Sequence, residues 1–175
     1  RLEREGEQSY MFMRYAYRNN EGDMDTAPLL IMFDSSVVMT VSSTKLPAAE
    51  ALLKGRVNFA TTQRTKLILL ILSHISDQYD QLVSQTSRDI KAIRSRLRGQ
   101  GITKQDLIDF VTIEDELNEF LSSLLPTNAA LRRLLAGKQL ALFAEDEDIV
   151  EDLLLNNEQS IEAIKSNLKS VSNIR

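Results

Sequence analysis

Seven positions near the C-terminal end, Val150, Leu154, Asn157, Ile161, Ile164, Leu168 and Val171, alternate in steps of four and three residues. Apolar side chains recurring about every 3.5 residues form one stripe along a helix, and that stripe needs another helix to cover it. A small all-β fold offers no such cover, so the chain is restricted to folds in which long helices pack lengthwise. Asn157 interrupts the stripe. A single polar residue in such a seam fixes register or oligomeric state at a cost in stability.

The preceding segments supply candidate partners. From Thr61 to Arg98 there is neither Pro nor Gly, and Ile68, Leu72, Ile75, Tyr79 and Leu82, then Ile90, Ile93 and Leu97, keep the helical step. That predicts a helix of about 38 residues, roughly 57 Å long. Gly99–Gly101 ends it. Thr103 followed by Asp106 is a capping pair for the next helix, whose apolar face is assigned to Ile108, Val111, Leu117, Phe120, Leu121 and Leu124. Pro126 is expected to end that helix, and Thr127–Gly137 to form another between a Thr cap and a Gly stop.

The first third reads as strand. Ser9–Tyr17 alternates and is rich in Met and aromatics, which points to sheet core. Arg18–Pro28 carries turn chemistry, and Leu29–Phe33 and Ser36–Ser42 form a hairpin around a tight connection. Leu46–Gly55 reads as a short helix. The expected fold is therefore α/β: an N-terminal β-sheet with flanking helices, then long stalk helices. Residues 1–144 form the α/β domain with its long helices, and residues 145–175 the start of the last stalk helix.

Composition removes several functions. The net charge of −4 argues against nucleic acid as a partner. Cysteine is absent, which excludes a disulfide framework and thiolate metal sites. The longest apolar run, Leu67–Leu72, falls far short of the roughly 20 residues that span a bilayer. No phosphate-binding loop, Gly-rich dinucleotide turn or Gly-x-Ser-x-Gly elbow is present, so an enzyme is not expected.

Charge is concentrated in one place. Glu145, Asp146, Glu147, Asp148, Glu151 and Asp152 make six of the eight residues 145–152 acidic. Acids at a helix N-terminus are stabilised by the macrodipole, and Asp146 or Asp148 can serve as N-cap. The same carboxylates repel one another, and a hard dication such as Mg²⁺, which takes oxygen ligands, relieves that repulsion. Other acidic groups read as solvated faces: Asp106 with Asp109, and the run Glu114–Glu116. His74 with Asp77 and Asp80 is a weaker metal candidate on the long helix. Arg88–Arg98 holds five basic residues and one acid. These complement the helix C-terminus or face anionic lipid or a neighbour's acids.

The order of elements carries a resemblance. Strands are followed by a long helix with LILLILSHISDQYDQLVSQTSRDIKAI (Leu67–Ile93), then by DELNEFLSSLLPTNAALRRLL (Asp115–Leu135), then by an acidic lead into a final helix. This resembles the cytoplasmic domain of the CorA-type magnesium transporter family, over nearly the whole chain. The resemblance implies that the final helix, which meets no stop signal before Arg175, continues into a first membrane span, with the family's Gly-Met-Asn tripeptide beyond it. It implies a homopentamer at the cytoplasmic face of the plasma membrane, with the final helices around a central axis. It further implies that Mg²⁺ is both cargo and regulator. Bound between acids of neighbouring subunits, Mg²⁺ keeps the pore closed, and its loss lets the subunits splay. Asp146, Asp148 and Asp152 are the candidate metal ligands. The alternatives are a CorA-like zinc transporter domain and a soluble coiled-coil scaffold.

Overall fold

The structure is a computed structural model that describes residues 1–53, 63–100, 103–136 and 140–173. Four strands come first: β1 (Leu2–Glu5), β2 (Gln8–Arg18), β3 (Met24–Phe33) and β4 (Val38–Ser42). They form an antiparallel sheet in the order β1-β2-β3-β4. Alternation sets its faces. Met11, Met13, Tyr15, Leu29 and Ile31 point into the core, while Phe12, Met39 and Val41 are exposed on the other side.

Strand β1 was not anticipated, because only Leu2 of its four residues is buried and a single apolar position makes no visible alternation. Gly6, at φ 61°, provides the left-handed backbone between β1 and β2. Strand β3 begins at Met24, inside the stretch read as turn, and accommodates Pro28 opposite Arg14. Pairing with β4 starts only at Leu29, so the missing proline amide falls outside that ladder.

Helix α1 (Pro47–Leu53) matches the short helix read before Gly55, which itself lies outside the described residues. Three long helices follow: α2 (Arg64–Gln100), α3 (Lys104–Ala136) and α4 (Ala144–Ser172). The expected starts at Thr61 and stops at Gly101 and Gly137 lie outside the described residues, while Gly99 is inside α2. α2 and α3 pack on the inner face of the sheet, and α4 packs against both. Ser76 and Ser87 of α2 hydrogen-bond Asn157 and Asn167 of α4, so these two helices run parallel. α3 runs antiparallel to them, as the Arg96–Asp106 and Arg132–Glu158 ion pairs show.

Pro126 does not break α3, which is one helix of 33 residues. The bond lost at Pro126 would have ended on the carbonyl of Ser122, and both residues are exposed, so water can take the donor's place. Buried Phe120 and Leu124 before the proline, and Ala130, Leu131 and Leu134 after it, hold both halves in line. The apolar face at the start of α3 also differs from the expected one. Phe110 and Ile113 are buried, whereas Ile108 and Val111 are about half exposed, at 48% and 47%.

The core lies where the sheet meets α2 and α3. Tyr79 is fully buried, packs edge-on against Phe120 at 5.3 Å and donates to the backbone carbonyl of Arg14 at 3.2 Å. Burial pushes its hydroxyl pKa far above the ordinary tyrosine value.

The seam that constrained the fold is buried within the chain. Val150, Leu154, Asn157, Ile161, Ile164 and Val171 are all inaccessible and Leu168 is partly so, because α2 and α3 cover them. The helices that cover this stripe therefore belong to the same chain. The stripe that α4 turns outward is a different one, comprising Asp148, Asp152, Leu155, Gln159, Glu162 and Ser166, all exposed.

Candidate functional site

The acidic head sits at the N-terminus of α4, and its members differ in what they do. The N-cap is Phe143, in extended geometry, and not Asp146 or Asp148. Phenylalanine offers no oxygen to the first amides. Asp146, at the third helical position, instead turns back and accepts the Phe143 amide at 3.1 Å, which is half of a capping box. Asp146 is thus half-buried and structurally occupied. Asp148 and Asp152 are exposed, one turn apart on the outward stripe.

Because α2 and α4 are parallel, two helix N-termini lie side by side at this end. An open cleft of about 830 Å³ separates them, lined on one side by Arg64 and Lys66 and on the other by Phe143, Glu145, Asp146 and Ile149. The Thr65 hydroxyl donates to the carbonyl of Ala141 at 3.1 Å and ties the start of α2 to the lead into α4. Two positive dipole ends and two cations offset part of the charge of Glu145 and Asp146. Asp148 and Asp152, further along and facing away, gain less from them.

A hard cation suits carboxylates of this kind. Mg²⁺ is held by one or two carboxylates with waters completing six oxygen ligands. Among the described residues, no three His, Cys, Asp or Glu side chains converge on a point that could hold a metal within one chain. A metal bound at Asp148 and Asp152 would take its remaining ligands from water or from groups outside this chain. The weaker candidate set does not converge either: His74 is half-buried, and Asp77 and Asp80 are exposed.

Two acidic groups read as solvated faces are partly internal. Asp106 is 5% exposed. It accepts from the Thr103 amide (3.0 Å) and hydroxyl (2.6 Å) and from Arg96 (3.0 Å), while its own amide donates to the Thr103 hydroxyl at 3.1 Å. The Thr103 bonds, followed by Arg96, hold its carboxyl below the usual range. The capping pair was legible in the sequence, but the cross-helix bond from Arg96 was not.

Glu116 is the second case. It is half-buried and accepts the Met24 amide at 2.9 Å, closing the open end of β3 onto α3. Desolvation pushes its pKa up despite that bond, with Asp23 and Asp89 adding repulsion. Next to it, Glu119 accepts from the Thr26 hydroxyl at 2.5 Å, and Arg14 approaches it at 3.4 Å. Nothing in the local pattern of Glu114–Glu119 distinguishes these two from their neighbours.

The comparisons with known proteins bear on the whole chain. The model of the family described as CorA-like Mg²⁺ transporter protein matches residues 1–175. The soluble domain of CorA from Methanocaldococcus jannaschii superposes with a TM-score of 0.88 at 19% identity, covering 99% of this chain and 70% of that one. The complete CorA magnesium transporter from the same organism gives 0.88 at 18% identity, covering 99% of this chain and 55% of that one. The cytoplasmic domain of ZntB from Vibrio parahaemolyticus RIMD 2210633 is a weaker match, with a TM-score of 0.78 at 12% identity, covering 97% and 67%. No protein of curated function matches the chain by sequence. The structural likenesses establish the fold, and the chain spans little more than half of the complete transporter. Among the described residues no helix is long and apolar enough to cross a membrane.

Proposed function

This chain belongs to the CorA-like Mg²⁺ transporter family, and on that basis we propose that it is the cytoplasmic regulatory domain of a divalent-cation transporter, with Mg²⁺ as cargo and as regulator. In this reading the parent protein is a homopentamer at the plasma membrane. Its subunits face one another through the outward stripe of α4. Mg²⁺ bridges Asp148 and Asp152 to a neighbour's oxygens and holds the closed arrangement, and loss of Mg²⁺ frees the carboxylates to repel and the subunits to separate. Asp146 contributes to the local field more than to coordination, since it already caps the helix.

The observation that carries this reading is the position of Asp148 and Asp152. They are exposed on the side of α4 opposite the stripe that α2 and α3 cover, and outside the cleft that holds Arg64 and Lys66. The test is thermal unfolding of the domain in millimolar Mg²⁺ against NaCl at matched ionic strength. Ligand binding to the native state raises the melting temperature. Asp148→Asn combined with Asp152→Asn should abolish that rise. A melting temperature unmoved by Mg²⁺, or one moved equally in the double variant, overturns the assignment of these residues. Zn²⁺ is the comparison ion: it prefers His and Cys ligands, and the chain has one His and no Cys.

A further inference from the structure

The charges of this chain are segregated along the helical bundle. The six acids of residues 145–152 lie where α2 and α4 begin, and the other end is basic. Residues 88–104 contain six cations and one acid in a chain whose net charge is −4. Arg96 is paired with Asp106 at 3.0 Å. Arg88, Lys91, Arg94 and Lys104 are exposed.

The same tip carries apolar surface. Leu107, Ile108 and Val111 are 43%, 48% and 47% exposed, at the spacing that places them on one side of α3. The buried line of this helix runs through Phe110, Ile113 and Leu117, so the trio faces away from it. On α3, Asp106 directly precedes the trio but is buried and paired with Arg96, Asp109 accepts from Gln105 at 2.8 Å, and Glu114 and Asp115 follow about a turn further along. With Arg96 paired to Asp106 across the antiparallel hairpin, Lys91 and Arg94 lie level with the trio, Lys104 lies toward the tip, and Glu114 and Asp115 lie toward the middle of the bundle.

Exposed aliphatic side chains beside a cation cluster are the two components of an interfacial membrane contact. The apolar groups enter the boundary between headgroups and acyl chains, and each cation near an anionic surface adds attraction. We propose that the tip of the α2–α3 hairpin rests on anionic lipid headgroups, through Arg88, Lys91, Arg94 and Lys104 with Leu107, Ile108 and Val111 inserted between them. The acidic end would be repelled from such a surface, so the charge segregation also orients the domain, with the acidic head of α4 held away from the bilayer. The proposal rests on the transporter reading only for the nearness of a membrane. The contact itself is a property of this chain.

The experiment is cosedimentation of the 175-residue chain with phosphatidylcholine vesicles, with and without phosphatidylserine, in EDTA so that Mg²⁺ plays no part. Binding is expected only to the anionic vesicles and should weaken with salt. Lys91→Gln and Arg94→Gln should each lower it about five-fold. Ile108→Ser should lower it as well, and thermal melts identify any variant that fails to fold. Absence of binding to anionic vesicles overturns the proposal, as does equal binding to both vesicle types. An Ile108→Ser change that dissociates a dimer without altering lipid binding reassigns the patch to contact between copies. The Mg²⁺ melt described above contains no lipid, so the two readings fail separately.

Discussion

The Ser76 hydroxyl donates to Asn157 Oδ1 at 2.8 Å, joining α2 to α4 in the middle of a mainly apolar interface. Both residues are almost fully buried, at 3% and 2% exposure. The pair explains the polar residue in the seam: it matches one register of α4 on α2, and any slip leaves two buried polar groups without partners. Asn157→Ala should cost about 2–4 kcal/mol, since it strands the serine hydroxyl and opens a cavity. Asn157→Leu combined with Ser76→Ala should come close to wild type. Urea unfolding measures both. A single substitution costing no more than an exposed one would remove the register role.

Pro126 gives a second prediction. It lies within one continuous α3, with its lost backbone bond on the solvent side. Pro126→Ala should therefore stabilise the domain, by up to about 3 kcal/mol, the difference between the two residues in a helix interior. If α3 were two helices meeting at the proline, alanine would bring no gain. The melting temperature of the variant decides.

Asp106 predicts behaviour at the acid end. Its folded pKa is depressed by Thr103 and Arg96. A depressed carboxyl contributes stability that is present above its unfolded value, about 3.9, and lost as the pH falls through the folded one. Asp106→Asn should flatten the stability profile below about pH 4 while leaving the slope at neutral pH unchanged. An unchanged acid limb in the variant would show that the interaction does not persist in solution.

Glu116 predicts the opposite sign. Its folded pKa is raised, chiefly by desolvation. The folded state therefore binds its proton more tightly, and the associated stability is complete below the unfolded value and lost as the pH rises through the folded one. Glu116→Gln keeps an acceptor for the Met24 amide without the buried charge. It should equal or exceed wild type at pH 7, and its advantage should vanish near pH 4, around the ordinary glutamate value. A clear loss of stability at pH 7 would mean that the ionised form is needed.

Much of the architecture can be read from local pattern. The 3.5-residue seam, the Pro- and Gly-free run and the Thr103–Asp106 pair mark α2, α3 and α4, alternation marks β2, and the short runs around a tight connection mark β4 and the second half of β3, because each signal lies within a few residues of itself. Strand β1 lacks such a signal, having one buried residue. The acidic head is equally legible, since six acids in eight positions are visible without any fold. Which of them are available is not. Asp146 is occupied by the Phe143 amide, and Asp148 and Asp152 face outward, only because of how α4 lies on α2 and α3.

The amino-acid sequence by itself determined that α4 must bury one stripe and that its start must be strongly negative. Periodicity and charge are properties of the chain, present before it folds. Only the tertiary structure decided that α2 and α3 cover that stripe, that α3 runs through Pro126, and that Asp106 and Glu116 are partly internal while Ile108 and Val111 are not. Each of those outcomes depends on which distant surface arrives to exclude water, and no local pattern encodes the partner.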